Sequence, residues 1–173
     1  KILVEAPGTY HHSIMVANLA ENAAEAIGAN SLLARVGCYY HDIGKTVRPS
    51  YFIENQIGKE NPHDKLPAEK SKEIIIAHAV DGAEILRKNK MPQEIIDIAE
   101  QHHGTTFLKY FYYNAKNAGI DVSEDDFRYP GPKPQTKEVV IIGIADSVEA
   151  AVRSMENPTP EAIEKLVKNI INE

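Results

Sequence analysis

Apolar positions recur at helical spacing along almost the whole chain, and no convincing run of period-two alternation interrupts them. The pattern predicts an all-α fold, a helical bundle. Thr9 is placed to cap a helix that reaches about Ile27, with Gly28 as its stop. On that helix His12 shares a stripe with Met15, Val16, Leu19, Ala23 and Ile27, while His11 is turned about 100° away. Ser31 caps a second helix, which carries Leu32, Leu33, Val36 and Tyr40 up to His41-Asp42. Pro67 or Ala68 opens a third, either continuous or broken near His78, that runs on through Ile85 and Leu86. Pro92 opens a fourth in its first turn, where proline is tolerated, and Gly104 ends it. Phe107 to Lys116 reads as a short aromatic helix. Lys137 to Met155 reads as a long helix, apolar nearly all round in its first half and therefore central. Pro160 opens a last amphipathic helix, which either finishes the core or forms a dimer face.

Two polar stretches break this rhythm, Thr46 to Leu66 and Asn117 to Thr136, both rich in proline, glycine and asparagine. Loops of that length in a compact domain are usually functional or disordered, and each of these adjoins a helix with candidate ligands, which suits the walls or lids of a pocket. No internal repeat or low-complexity tract is present.

The bulk properties narrow the classes. The 173 residues suffice for one domain with a sizeable core, residues 1–173, and 43% of them are hydrophobic. The longest apolar run, Val139 to Ala145, is too short to span a bilayer, and the N-terminus has no signal-peptide pattern. A chain that opens without Met and stops on a helical pattern suits a domain cut from a longer protein, as it would a processed one. The lone Cys38 excludes an internal disulfide, suits a reducing compartment, and reads as a small buried apolar residue. A net charge of −6 argues against a general surface for polymeric nucleic acid. It leaves room for a small phosphorylated ligand, because bound dications would reverse the local charge.

The candidate chemistry lies in five of the seven histidines and two aspartates: His12, His41-Asp42, His78, His102-His103 and Asp146. Imidazole and carboxylate together suit iron, manganese or zinc, and a carboxylate beside a histidine can bridge two ions. Seven such ligands exceed one tetrahedral ion, so two metals are the natural count. Each residue also has a plainer reading. His12 and His78 on core stripes are either ligands or hydrogen-bonded core histidines. Asp146 shares a face with Val139, Ile142, Gly143 and Ala150 in a helix that reads as buried. Left unpaired there, a carboxylate would cost several kcal/mol, so it needs either a metal or an arginine. Adjacent His102 and His103 diverge by about 100° on a helix and meet one site only where the helix ends or the metals straddle it. His63, in Asn61-Pro62-His63-Asp64, reads as a supporting or structural residue of the long loop.

The ordered set H…HD…H…HH…D resembles that of the HD-domain metal-dependent phosphohydrolases, whose fold is all-helical. A subgroup acting on cyclic di-GMP continues past its double histidine with a glutamate and a Gly-Tyr-Pro triplet. This chain reads His102-His103-Gly104-Thr105-Thr106-Phe107 instead. Three loop strings are similar to the intracellular HD domain of the seven-transmembrane HD receptors of PgpH type. They are Arg48-Pro49-Ser50-Tyr51-Phe52-Ile53-Glu54-Asn55-Gln56, Asn61-Pro62-His63-Asp64, and Tyr129-Pro130-Gly131-Pro132-Lys133-Pro134-Gln135. The resemblance covers essentially the whole chain. It implies hydrolysis of cyclic di-AMP to pApA by a cytoplasmic domain of an integral membrane protein, whose membrane and extracytoplasmic parts would lie in a missing remainder.

On that resemblance, His12, His41 and Asp146 are expected to hold one metal and His78, His102 and His103 the other, with Asp42 bridging. Iron or manganese fits best, and a hydroxide shared by the two ions would attack phosphorus in line. Lys45 is the candidate cation for the developing phosphoryl charge, against a plain solvated lysine. Tyr51, Phe52, Asn55, Gln56 and Tyr129 are candidates for the bases, and Arg128 and Lys133 for phosphate, against the reading in which these aromatics pin their loops to the core. Two other functions compete: a different HD nucleotide phosphohydrolase, which usually needs fewer ligands, and a non-catalytic nucleotide-sensing module, which would be expected to have lost some.

Overall fold

The computed structural model describes residues 1–173, and the fold is all-helical. Its helices are α1 (Ile2–Glu5), α2 (Pro7–Ala26), α3 (Ser31–Tyr40), α4 (Ala68–Lys88), α5 (Gln93–Gln101), α6 (Lys109–Asn117), α7 (Lys137–Arg153) and α8 (Pro160–Asn172). The only extended pairing is a single bridge between Phe107 and Arg128. The main core lies between α2, α3, α5 and α7, around Val16, Cys38, Ile98, Val139 and Ile142. A small second cluster, Tyr112, Ala115 and Phe127, pins the 117–136 stretch under α6. α8 adds no fully buried residue and packs chiefly against α7.

Several sequence expectations shift by a residue or a face, each for a local reason. Thr9 does not cap α2, which starts at Pro7. The Thr9 N–H, in the first turn and without a partner inside the helix, is satisfied from 46 residues away by Asn55 Oδ1 at 3.1 Å. The buried stripe of α2 is also rotated. Val16, Ala17, Ala20 and Ala24 face the core, whereas Met15, Leu19 and Ile27 are exposed. The alanines let α3 approach closely, and His12 stays on the buried side. The helix stops as expected: Gly28 at φ +69° closes a Schellman turn in which Ala29 N–H reaches the Ala24 carbonyl at 2.9 Å.

Asn30, rather than Ser31, caps α3, accepting from the Leu33 N–H at 3.0 Å. α4 is unbroken at His78. Its Gly82 lets the turn after Asp42 lie against it, so closely that a Cβ on Gly44 would sit 1.9 Å from the His78 carbonyl oxygen. Pro92 precedes α5 as its cap rather than entering it, and α5 ends at Gln101, leaving His102 and His103 in the closing turn. Phe107 stays outside α6, held in its bridge to Arg128. The two long stretches are ordered: short 3-10 turns structure 43–65, and a 3-10 turn at Glu124–Phe127 with a Ser123 capping box structures the second.

Candidate metal centre

Five helices bring the histidines and aspartates to one place. α2 supplies His12 and α4 supplies His78 from its middle. The C-terminal ends of α3 and α5 deliver His41-Asp42 and His102-His103, and α7 delivers Asp146. All are buried except His103, which is partly open. α7 can reach the double histidine because of Gly143, where a Cβ would lie 2.7 Å from the His102 carbonyl oxygen.

Asp42 stands at the centre and divides the set. Its Oδ2 faces His12 Nε2 at 3.6 Å and His41 Nε2 at 3.3 Å. Its Oδ1 faces His78 Nε2 at 3.4 Å and His102 Nε2 at 3.5 Å. Asp146 lies on the first side, with Oδ1 at 2.7 Å from His12 Nε2 and 3.3 Å from His41 Nε2. Two groups result, His12, His41, Asp42, Asp146 and Asp42, His78, His102, His103, each with donor atoms within 4.8 Å of one another.

The far ring nitrogens fix which nitrogen points inward. His41 Nδ1–H donates to the Cys38 carbonyl at 2.7 Å and His102 Nδ1–H to that of Ala99 at 2.9 Å. His78 Nδ1–H donates to the Ile75 carbonyl. Carbonyls only accept, so each of these rings carries a proton on Nδ1 and turns Nε2 to the centre. At His78 and His102 that nitrogen has no partner. At His41, despite burial, the Asp42 and Asp146 carboxylates favour a second proton there in the metal-free protein. His12 differs: its Nδ1 meets the carboxylate of Glu149. His103 is oriented by a parallel stack on Tyr129, ring centres 4.3 Å apart.

Asp42 Oδ1, His78 Nε2 and His102 Nε2 are buried without a hydrogen-bond partner, and Asp42 Oδ2 has only Lys45 Nζ, at 2.8 Å, besides its histidines. Such orphaned acceptors are costly, and here they converge from different helices. A divalent ion in each group would satisfy them, so the donor set fits two divalent metals. The charge balance agrees. Burial raises Asp42, but His41 and Lys45 outweigh it and hold its carboxyl well below the usual range. Burial likewise opposes ionisation of Asp146, and its contacts with His12 and His41 prevail, lowering it too. Desolvation lowers His12, yet hydrogen bonds to Asp146 and Glu149 lift it to about 10. Desolvation and its histidine neighbours push His103 well down, so it stays neutral. No arginine pairs with Asp146: its partners are histidines.

A cavity of about 180 Å³ opens over the centre, lined by His12, His78, His103 and Asp146 and by Lys45, Phe52, Ile53, Glu54, Tyr129 and Arg153 among others. Lys45 Nζ bridges Asp42 Oδ2 at 2.8 Å and Glu54 Oε1 at 2.9 Å, so it is not the solvated lysine of the plainer reading. Burial opposes its charge, but Asp42 and Glu54 raise its pKa above the ordinary lysine value. Phe52 packs edge-on against His78 at 5.5 Å.

The other loop candidates do not line this cavity. Asn55 is committed to Thr9 and the Pro49 carbonyl, and Gln56 to the Ser50 carbonyl and Asn61. Tyr51 packs on His63, whose Nε2–H donates to the Tyr51 carbonyl at 2.8 Å, a structural use of that histidine. Arg128 lies over the Phe107 ring beside Glu124 and Asp125, and Lys133 is exposed. Sequence reasoning missed Glu54, Glu149 and Arg153. The signal for the last two was helical phase: Glu149 follows Asp146 by three positions and Arg153 follows Glu149 by four, all on one face of α7.

Comparison with known proteins agrees with this geometry. The HD domain model matches residues 9–151. The chain belongs to the HD-domain family. It is 68% identical over its full length to cyclic-di-AMP phosphodiesterase PgpH of Bacillus subtilis and 65% identical to that of Listeria monocytogenes. In each case it spans 24% of the relative's length. The HD domain of L. monocytogenes PgpH, solved in complex with cyclic di-AMP, superposes with a TM-score of 0.95 at 66% identity, over 99% of this chain and 79% of that one. No helix here is long and apolar enough to cross a membrane.

Proposed function

We propose that this HD domain is a dinuclear metal phosphodiesterase that hydrolyses cyclic di-AMP to pApA. The carrying observation is Asp42, a buried carboxylate whose two oxygens each face a separate group of histidines, with Lys45 beside Oδ2 as its cationic partner. The identity to relatives named for this activity, and the likeness to a domain solved with cyclic di-AMP, support the substrate.

His12, His41, Asp42 and Asp146 would hold one ion, and Asp42, His78, His102 and His103 the other. Nitrogen-rich ligation with a shared carboxylate suits iron or manganese. Bound there, two such ions supply Lewis acidity toward phosphoryl oxygens and lower the pKa of water. The chain's own groups do the rest. Asp42, a member of both ligand groups, would be the residue shared between the two positions. Lys45, held charged by Asp42 and Glu54, acts as a cation rather than a base and balances charge gathering on the phosphoryl oxygens. Burial keeps the Tyr129 phenol protonated, so it serves as a neutral wall behind His103. Water adds to phosphorus, the P–O3′ bond breaks, and the proton ends on the 3′ oxygen, leaving a linear dinucleotide with a 5′ phosphate. A cavity of about 180 Å³ is smaller than a typical ligand pocket, so it admits the phosphate while the bases lie along the rim near Phe52, Ile53 and Tyr129.

Relatives about four times as long support reading the chain as one domain of a larger protein. That this protein is an integral membrane protein with the domain on its cytoplasmic side rests on the resemblance of the loop strings alone. The test is incubation of metal-reconstituted protein with cyclic di-AMP and, in parallel, cyclic di-GMP, with separation of products. Selective formation of pApA is expected. Absence of turnover with two ions bound per chain would overturn the reading.

A further inference from the structure

The two metal positions are built from unequal surroundings. The position formed by His12, His41, Asp42 Oδ2 and Asp146 has two carboxylates, whereas the one formed by Asp42 Oδ1, His78, His102 and His103 has one. The supports behind the ligands differ as well. His41, His78 and His102 each lean on a neutral backbone carbonyl, and His103 only stacks on Tyr129. His12 alone leans on a carboxylate, Glu149, whose side chain is only 11% exposed. A carboxylate behind an imidazole raises its basicity and fixes its tautomer, and losing such a partner typically weakens metal binding.

Two groups oppose the trend. Lys45 lies 2.8 Å from Asp42 Oδ2, on the same side, but shares its charge with Glu54. Arg153 tempers it from the rim: its Nε lies 3.3 Å from Glu149 Oε1, while Oε2 meets His12. Glu149 thus divides its charge between a buried ligand and a half-exposed guanidinium that lines the cavity mouth.

We propose that Glu149 is a positioning residue that makes the two sites unequal: the His12 position fills first and tightly, the His103 position second and weakly. The inference rests on the dinuclear reading above. Metal-free protein is titrated with Mn(II) alone, with free Mn(II) followed by electron paramagnetic resonance, so that no turnover is needed. Wild type binds two ions in two resolved steps, and His103→Ala removes only the weaker. Glu149→Gln weakens the tighter step by about 10–100-fold and leaves the weaker within about twofold. Arg153→Leu, a change at the rim, acts in the opposite sense and tightens the first step, because Glu149 is no longer shared. Two equal sites in the wild type would overturn the proposal, as would a Glu149→Gln variant that binds both ions normally or weakens both alike. Failure of wild type to bind any Mn(II) would sink the dinuclear reading itself, a result distinguishable from two equal sites.

Discussion

The helix-borne half of the site and the loops around it carry equally conspicuous residues, yet the fold uses them differently. His12, His41, His78, His102 and Asp146 come from the faces and ends of helices and converge on Asp42. The 46–66 stretch offers as many polar and aromatic side chains, but Asn55, Gln56, Tyr51 and His63 are spent on holding the stretch together and closing the start of α2. Only Phe52, Ile53 and Glu54 of its residues 51–56 reach the cavity. A rigid helix fixes a side chain's direction by its phase, so chemistry placed there is committed early. An irregular segment must first satisfy its own backbone, and what remains for a ligand is small.

The contrast is broken most directly at Asp42. If Asp42 bridges two ions as proposed, Asp42→Asn is expected to lower turnover by about a thousandfold or more, with fewer than two metals retained and far-UV circular dichroism unchanged. Near-normal turnover would mean that Asp42 is no bridge. Lys45→Ala leaves Asp42 and Glu54 facing each other without their shared cation. A loss of about a hundredfold in kcat is expected, and an unchanged kcat in metal-loaded protein would remove Lys45 from the reaction.

The loop side is sharpened by Asn55→Leu, which uncaps α2 and loosens the turn that carries Phe52. Unfolding in urea should show a loss of about 1–2 kcal/mol, and an unchanged midpoint would contradict the capping role.

The acid and alkaline limits separate the same regions. His12 is raised to about 10 in the metal-free protein. Its pairing therefore stabilises that form fully below about pH 6.5, the ordinary histidine value, and the gain is lost as pH rises through about 10. Asp42 and Asp146 are lowered, so their contribution is present above the usual carboxylate range and is lost as pH falls through their depressed values. Metal-free Tm should fall between neutral and alkaline pH, whereas the metal-loaded form, in which ions replace the proton, should hold. A metal-free Tm that climbed over that interval would contradict this. The smallest effect is expected at Arg128→Ala and Lys133→Ala, which sit away from the cavity: KM for cyclic di-AMP within about twofold of wild type, as for most substitutions remote from a site. A tenfold rise for either would restore it as a phosphate contact.

The helices were legible because their apolar period is strong, and the ligand candidates because a polar or charged side chain on a core stripe, as at His12, His78 and Asp146, needs a buried partner. What the pattern could not show was anything that depended on distant partners. Thr9 has the chemistry of a cap, but the helix starts earlier and Asn55 performs the task across 46 positions. Met15, Leu19 and Ile27 are more hydrophobic than Ala17, Ala20 and Ala24, yet the alanines face inward because α3 comes close. Glu149 was hidden for a related reason: a glutamate near a helix C-terminus looks solvated until His12 arrives from another helix. Lys45 was half visible, its proximity to Asp42 readable from spacing and its tie to Glu54 not.

At Gly44 and Gly143 the backbone itself touches a neighbouring ligand-bearing turn or helix, with no side chain between. The separation of the metal-binding groups is thus gauged by main chain against main chain. Core residues elsewhere can trade volume with their neighbours as sequences drift. These two contacts have no such slack, so even an added methyl group acts as a shim that reaches His78 or His102 first.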